Sequence, residues 1–86
     1  MKKIKVMGKT FNIEVIELFN DEAGNCVVQN GLIQIHDRMT KEAKNSALLH
    51  EIIEAINGMC ECGMEHRTIC TIETGLAPFF NFKEIE

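Results

Sequence analysis

The chain has 86 residues, a formal net charge of −4 and 45% hydrophobic residues, which is enough apolar material for a packed core and too much for a disordered segment. Its length supports one small domain, residues 1–86, and excludes two separate cores. Without a basic stripe to neutralise phosphates it is not expected to bind nucleic acid, and without a long apolar run it is not expected to enter a membrane.

Residues 1–39 have the pattern of a small β-sheet. Apolar and polar residues alternate from the N-terminus, and Gly8 interrupts the alternation, which predicts a β-hairpin. Two more short apolar runs, at 26–28 and 32–36, are bounded by turn-forming residues. We therefore expect three or four short antiparallel strands, with His36 capping the exposed end of the last one.

The pattern becomes helical in residues 40–86, which are expected to form a two-helix region. Thr40 can cap the first helix, and apolar residues recur at helical spacing to about Met59. Successive residues are about 100° apart around a helix, so these positions form one broad core-facing arc. The arc comprises Leu48, Leu49, Ile52, Ile53, Ala55, Ile56 and Met59.

A glycine-rich loop separates the first helix from a second one. The second helix is predicted to begin near His66 and to continue past Leu76 to Phe79 or Phe80, with Pro78 ending or kinking it because its ring removes an amide donor. The predicted fold class is therefore α+β, a small antiparallel sheet followed by two packed helices.

The first helix contains the sequence HEIIE at residues 50–54. In the zinc-hydrolase motif HExxH, two His one turn apart bind zinc, and the Glu after the first His is the general base for the zinc-activated water. His50 and Glu51 occupy the first two positions, while Glu54 replaces the second His. Carboxylate oxygen is also a zinc ligand, so His50 and Glu54 can bind one Zn²⁺ from the same helix face.

His66 is the candidate for the third ligand, because many catalytic zinc sites use two His and one Glu. Its position near the start of an antiparallel second helix would bring it back toward His50. Glu73, two turns later, is on nearly the same side and could orient a ligand or be the fourth ligand. Glu51 is about 100° from His50 around the helix, so it is expected to act as the base and not as a ligand.

The segments ALLHEIIEAIN, GMEHRTI and TIETGL resemble the small zincin-like metallopeptidases encoded by phages and prophages. The resemblance covers about the last half of the chain, and the first half only as a strand pattern. It implies a minimal zincin-like fold, zinc at His50 and a catalytic Glu51. A peptide or protein is the expected substrate or partner because an extended peptide could pair with an edge strand of the sheet. The family's usual second His is Glu54 here, and the resemblance implies that His66 compensates for the change.

Three alternatives remain open for these residues. A His-Glu-x-x-Glu sequence also occurs on ordinary solvated helix faces, without any metal. An intact zinc site can be structural, with its fourth position filled by Glu73 or Cys70, which would make the protein a non-catalytic zinc-stabilised module that binds a protein partner. Finally, Cys60, Cys62, His66 and Cys70 could form a separate closed zinc site from softer ligands.

The N-terminal sequence predicts the cellular compartment, and the compartment predicts the redox state of the cysteines. The basic N-terminus is not followed by an apolar signal core, so a cytoplasmic protein is expected. Cys26, Cys60, Cys62 and Cys70 are then expected to be thiols, although their even number would also allow disulfides in an exported protein.

Overall fold

Four strands followed by two helices make up the fold in the computed structural model, which describes residues 2–85. The predicted α+β class is confirmed. The elements are β1 (Lys2–Val6), β2 (Lys9–Ile16), β3 (Gly24–Val27), β4 (Leu32–His36), α1 (Lys41–Cys60), α2 (His66–Leu76) and the 3₁₀ helices Ala77–Phe79 and Lys83–Ile85.

The sheet has the strand order β1-β2-β4-β3. β1 and β2 form the predicted hairpin, and its turn uses Met7 and Gly8, both at positive φ as a primed hairpin turn requires. The prediction of an entirely antiparallel sheet was wrong, because β2 and β4 pair in parallel. The segment 17–23 carries the chain past the position of β4 to the far edge, where β3 forms and then pairs antiparallel with β4.

The core lies between the sheet and α1. Phe11 and Ile13 of β2 and Ile33 and Ile35 of β4 are at most 3% exposed, which is the period of two expected for strands with one buried face. Leu48 of α1 is fully buried in the same apolar cluster. This packing fixes which side of α1 faces the sheet.

Helix α1 begins and ends close to its predicted limits. Thr40 is its N-cap, and the Thr40 Oγ1 accepts a hydrogen bond from the Ala43 amide at 3.1 Å. After Cys60 the chain leaves the helix at Glu61, which adopts a left-handed conformation with φ 52°. In the described chain, neither α1 nor any other helix is long and apolar enough to cross a membrane.

More of the surface of α1 is buried than the predicted apolar arc covers. Leu49 and Ile53 are buried as predicted, but Ala47 and Glu51, on the arc opposite the predicted core, are each only 6% exposed. The reason is that α1 contacts β3 and β4 as well as α2. The helix face with the candidate chemical groups is therefore partly covered by other elements: Glu51 is buried, whereas 35% of the Glu54 side chain is exposed.

Helix α2 begins at His66 as predicted but ends at Leu76, before Pro78, and a 3₁₀ helix follows. The segment after it is held by one side chain of α1. Asn45 Nδ2 donates to the carbonyl oxygens of Ala77 and Phe80, at 3.4 and 3.0 Å. Asn45 Oδ1 accepts from the Phe82 amide at 2.9 Å. Asn45 thus ties the C-terminal segment to the first half of α1.

Candidate metal centre

His50 and Glu54 lie one turn apart on α1, with side chains on the same side. His50 Nε2 is 3.5 Å from Glu54 Oε2. Two nitrogen or oxygen ligands bound at about 2.0–2.1 Å to one tetrahedral ion are roughly 3.4 Å apart. The observed separation therefore suits two ligands of the same zinc ion.

His66, the first residue of α2, faces this pair. Its ring centroid is 5.1 Å from that of His50, with the rings inclined at 61°. One ligand atom each from His50, Glu54 and His66 lies within 4.8 Å of the other two. The structure thus brings together the three residues that the sequence suggested as ligands, and two nitrogens with one carboxylate oxygen are a donor set that zinc accepts.

Glu73 contacts the opposite nitrogen of the His50 ring. The distance from His50 Nδ1 to Glu73 Oε1 is 2.8 Å, a hydrogen bond. Because a carboxylate accepts, Nδ1 is the donor in this contact, and Nε2, the ring nitrogen nearest Glu54, is the one available to a metal. Of the two roles considered for Glu73, this geometry supports the orienting one.

Replacing Glu73 should therefore weaken metal binding without removing a ligand. We expect Glu73→Ala to lower zinc affinity by roughly 10- to 100-fold, the usual effect of losing the carboxylate that orients a ligating His. Competition titration against a chromophoric chelator measures this change. Glu65→Ala, an exposed position just before α2, is the matched control and should bind like the parent. Equal affinities in both variants would exclude the orienting role.

Glu51 lies on the side of α1 that faces β3, close enough to His50 and Glu54 to interact with them electrostatically. Among the described residues, Glu51 is the only charged residue that is buried. It lines a recess of about 360 Å³ between α1 and β3. The recess is lined by Gly24, Asn25, Cys26, Val28, Glu51 and Glu54. Glu54 is thus shared, since it belongs to the ligand group and also borders the space in front of Glu51.

Burial is the main influence on Glu51. It raises the pKa of Glu51 to about 7, while the neighbouring His50 lowers that pKa and Glu54 raises it further. Burial also raises the pKa of the Cys26 thiol to about 11, with smaller contributions from Glu51 and Glu54. Cys26 is therefore a neutral thiol at physiological pH and a poor nucleophile.

The raised pKa of Glu51 predicts a specific pH dependence of stability in the metal-free protein. The unfolded chain ionises near 4.5 and the folded chain near 7, so between these values the folded state binds more protons. Its free energy of unfolding should therefore fall as pH rises through this window, by about 3 kcal/mol in total. Glu51→Gln cannot ionise and should lack this fall.

Urea unfolding of both proteins at about pH 4 and about pH 8, with chelator present, measures the difference. Other titrating groups are common to the two proteins and cancel in the comparison. Parallel stability curves over the whole range would contradict the buried, pKa-shifted state of Glu51.

Gly24 was not suggested by the sequence, yet it shapes this recess. A Cβ at Gly24 would lie 2.9 Å from the Gln34 carbonyl oxygen and 3.3 Å from Glu51 Cγ. β3 can therefore approach Glu51 closely only with glycine at this position. The turn-like segment AGN gave no signal of this role, because the contact depends on where β3 lies in the sheet.

Other candidate residues lie elsewhere. His36 is the last residue of β4, and its Nδ1 accepts from the Leu18 amide at 3.1 Å, just beyond the end of the neighbouring strand β2. Cys60 Sγ lies 3.2 Å from Met7 Sδ. Within residues 2–85, neither group able to hold a metal includes Cys60 or Cys62. The structure therefore does not assemble the alternative cysteine-rich zinc site.

Comparisons with protein-family models, with curated proteins and with solved structures each found no match to this chain.

Proposed function

We propose that this protein is a zinc-dependent, peptidase-like hydrolase in which His50, Glu54 and His66 hold the metal and Glu51 is the general base. The observation that carries the proposal is the placement of Glu51. Its carboxylate is buried beside the ligand group, yet it borders a recess and belongs to neither group of metal-holding residues. A general base needs this position, next to the reacting centre and not bound to the metal.

The proposed metal ligands and Glu51 have different chemical roles. When bound, zinc would polarise a scissile carbonyl and lower the pKa of a water molecule. Glu51 would accept the proton and, being enclosed on most sides, would hold it close to the leaving group. Glu73 keeps the His50 ring in one orientation throughout, through the 2.8 Å hydrogen bond.

The substrate class is suggested by the strand beside the recess. β3 is at the edge of the sheet and pairs only with β4 among the described strands. An extended peptide could add to the free edge of β3, which would place a peptide carbonyl near Glu51 and Glu54. The proposed substrate is therefore an unfolded or extended segment of a protein. The net charge of −4 gives no support for nucleic acid.

The origin and compartment of the protein are part of the same proposal. The resemblance of ALLHEIIEAIN and GMEHRTI to phage and prophage zincin-like proteins suggests a phage or prophage origin. All four cysteines are free, a state that a reducing cytoplasm maintains.

A second candidate is a zinc-stabilised interaction module without catalysis. The observation in its favour is a group of exposed apolar side chains around the end of α2: Leu76 is 41% exposed, Phe79 82% and Phe80 42%. Such side chains close together can mark a protein-binding surface. In that case the metal would mainly stabilise a small core.

Metal analysis and a peptide digest test the proposal together. Protein purified without chelator should contain, or take up, one zinc per chain. The zinc-loaded protein should cleave members of an unbiased peptide library, and chelator should stop the cleavage. Absence of zinc uptake would refute the proposal, while zinc uptake with no cleavage anywhere in the library would favour the interaction module.

A further inference from the structure

Helix α2 carries a second pair of potential ligands with the spacing of the first. Cys70 follows His66 by four residues, as Glu54 follows His50, and Cys70 Sγ is 3.3 Å from His66 Nε2. Sulfur at about 2.3 Å and nitrogen at about 2.0 Å from one tetrahedral ion are roughly 3.5 Å apart. The separation on α2 therefore suits two ligands of one ion, as the separation on α1 does.

Cys70 also faces the residues of α1. Its sulfur lies within 4.8 Å of a ligand atom of His50 and of a carboxylate oxygen of Glu73. Because Glu73 is already hydrogen-bonded to His50 Nδ1, Cys70 is the side chain next to the ligand group that has a donor atom to offer. The donor atoms form two overlapping groups, His50 with Glu54 and His66, and His50 with Cys70 and Glu73, so His50 belongs to both.

We infer that Cys70 is the fourth protein ligand of this metal, so that the resting site is closed by the thiolate and opens only when another ligand displaces it. The inference rests on the metal site of the proposed function and adds a mode of regulation to it. On coordination the thiol S–H bond breaks, its proton goes to solvent, and a sulfur lone pair forms the metal–sulfur bond in place of one water. A soft sulfur donor would also favour zinc over magnesium or calcium.

Cobalt substitution tests this directly, because a thiolate bound to Co²⁺ gives a ligand-to-metal charge-transfer band in the near ultraviolet. The parent protein, titrated with Co²⁺ under reducing conditions, should show this band with one equivalent bound. Cys70→Ala and Cys70→Ser should both lose the band while keeping the visible absorption of bound Co²⁺. Cys62→Ala, on an exposed loop residue, is the matched control and should keep the band.

Binding of a small metal ligand tests whether Cys70 closes the site. Acetohydroxamate, a small metal-binding probe, should bind the Co²⁺-loaded Cys70→Ala variant at least about tenfold more tightly than the parent, because no thiolate competes for the position. Co²⁺ bound without a charge-transfer band, a band that survives in Cys70→Ala, or equal acetohydroxamate affinities would each overturn the inference and leave the three-ligand site intact. No Co²⁺ or Zn²⁺ binding by the parent would overturn the metal site itself, and the inference with it.

Discussion

Glu51→Gln should lower peptide hydrolysis by roughly 10² to 10⁴, the range in which a positioned general base contributes to catalysis. The amide has nearly the shape of the carboxylate but cannot accept the proton. Zinc affinity should stay within a few fold of the parent value, since Glu51 belongs to neither group of metal-holding residues. Cleavage rates on a peptide selected from the library, measured at equal zinc loading, give the effect.

Glu42→Gln is the control for this change, because Glu42 is an exposed residue in the first turn of the same helix. It should cleave at the parent rate. Chelator-sensitive cleavage that is undiminished in Glu51→Gln would assign the base to another residue. A large loss of zinc affinity in Glu51→Gln would instead show that Glu51 is a ligand.

His50→Ala should abolish stoichiometric zinc binding, which is the largest effect expected on the metal. His50 stands at the centre of the site: its Nε2 faces Glu54, its ring meets that of His66, and its Nδ1 is held by Glu73. Removing it therefore eliminates a ligand and separates the donors of α1 from those of α2. Calorimetric zinc titration, with circular dichroism to verify the fold, measures the loss.

Two matched variants sharpen the result. The double change Cys60→Ser with Cys62→Ser should bind like the parent, since those thiols are outside the ligand group. Glu54→His should also retain zinc, because it restores two His one turn apart. Zinc binding that survives in His50→Ala but disappears in the Cys60/Cys62 double variant would establish the cysteine-rich site instead.

The local elements could be predicted well because their signals are local. Thr40 gives a cap, the following residues have a helical period, and Gly8 marks a hairpin turn. Strand orientation was predicted wrongly because alternation of apolar and polar residues is typical of antiparallel sheets with one solvated face, and β2 alternates although it pairs in parallel with β4. The parallel pairing of β2 with β4 depends on where the segment 17–23 crosses the sheet.

The candidate site also has residues that could be predicted from the sequence and contacts that could not. His50, Glu51 and Glu54 could be found from their spacing on one helix, and His66 from the missing ligand. The enclosure of Glu51 by Gly24 and β3 depends on a tertiary contact, so the sequence pattern does not predict it. Cys70 could be suggested from the sequence as a filler of the fourth position, alongside Glu73, but only the structure shows its sulfur 3.3 Å from His66 Nε2.

The arrangement of the site on two consecutive helices has a consequence for how the site is assembled. The residues that would hold the metal all belong to the segment from α1 to α2, and His50 and Glu73 are 23 positions apart. The parallel pairing of β2 with β4 joins residues 20 positions apart, so closing the two loops costs about the same chain entropy. The donors are gathered by the two helices alone, whereas the surroundings of Glu51 form only when β3 packs against α1. A metal ion bound to the two helices before β3 is in place would therefore have its ligands but no enclosed base.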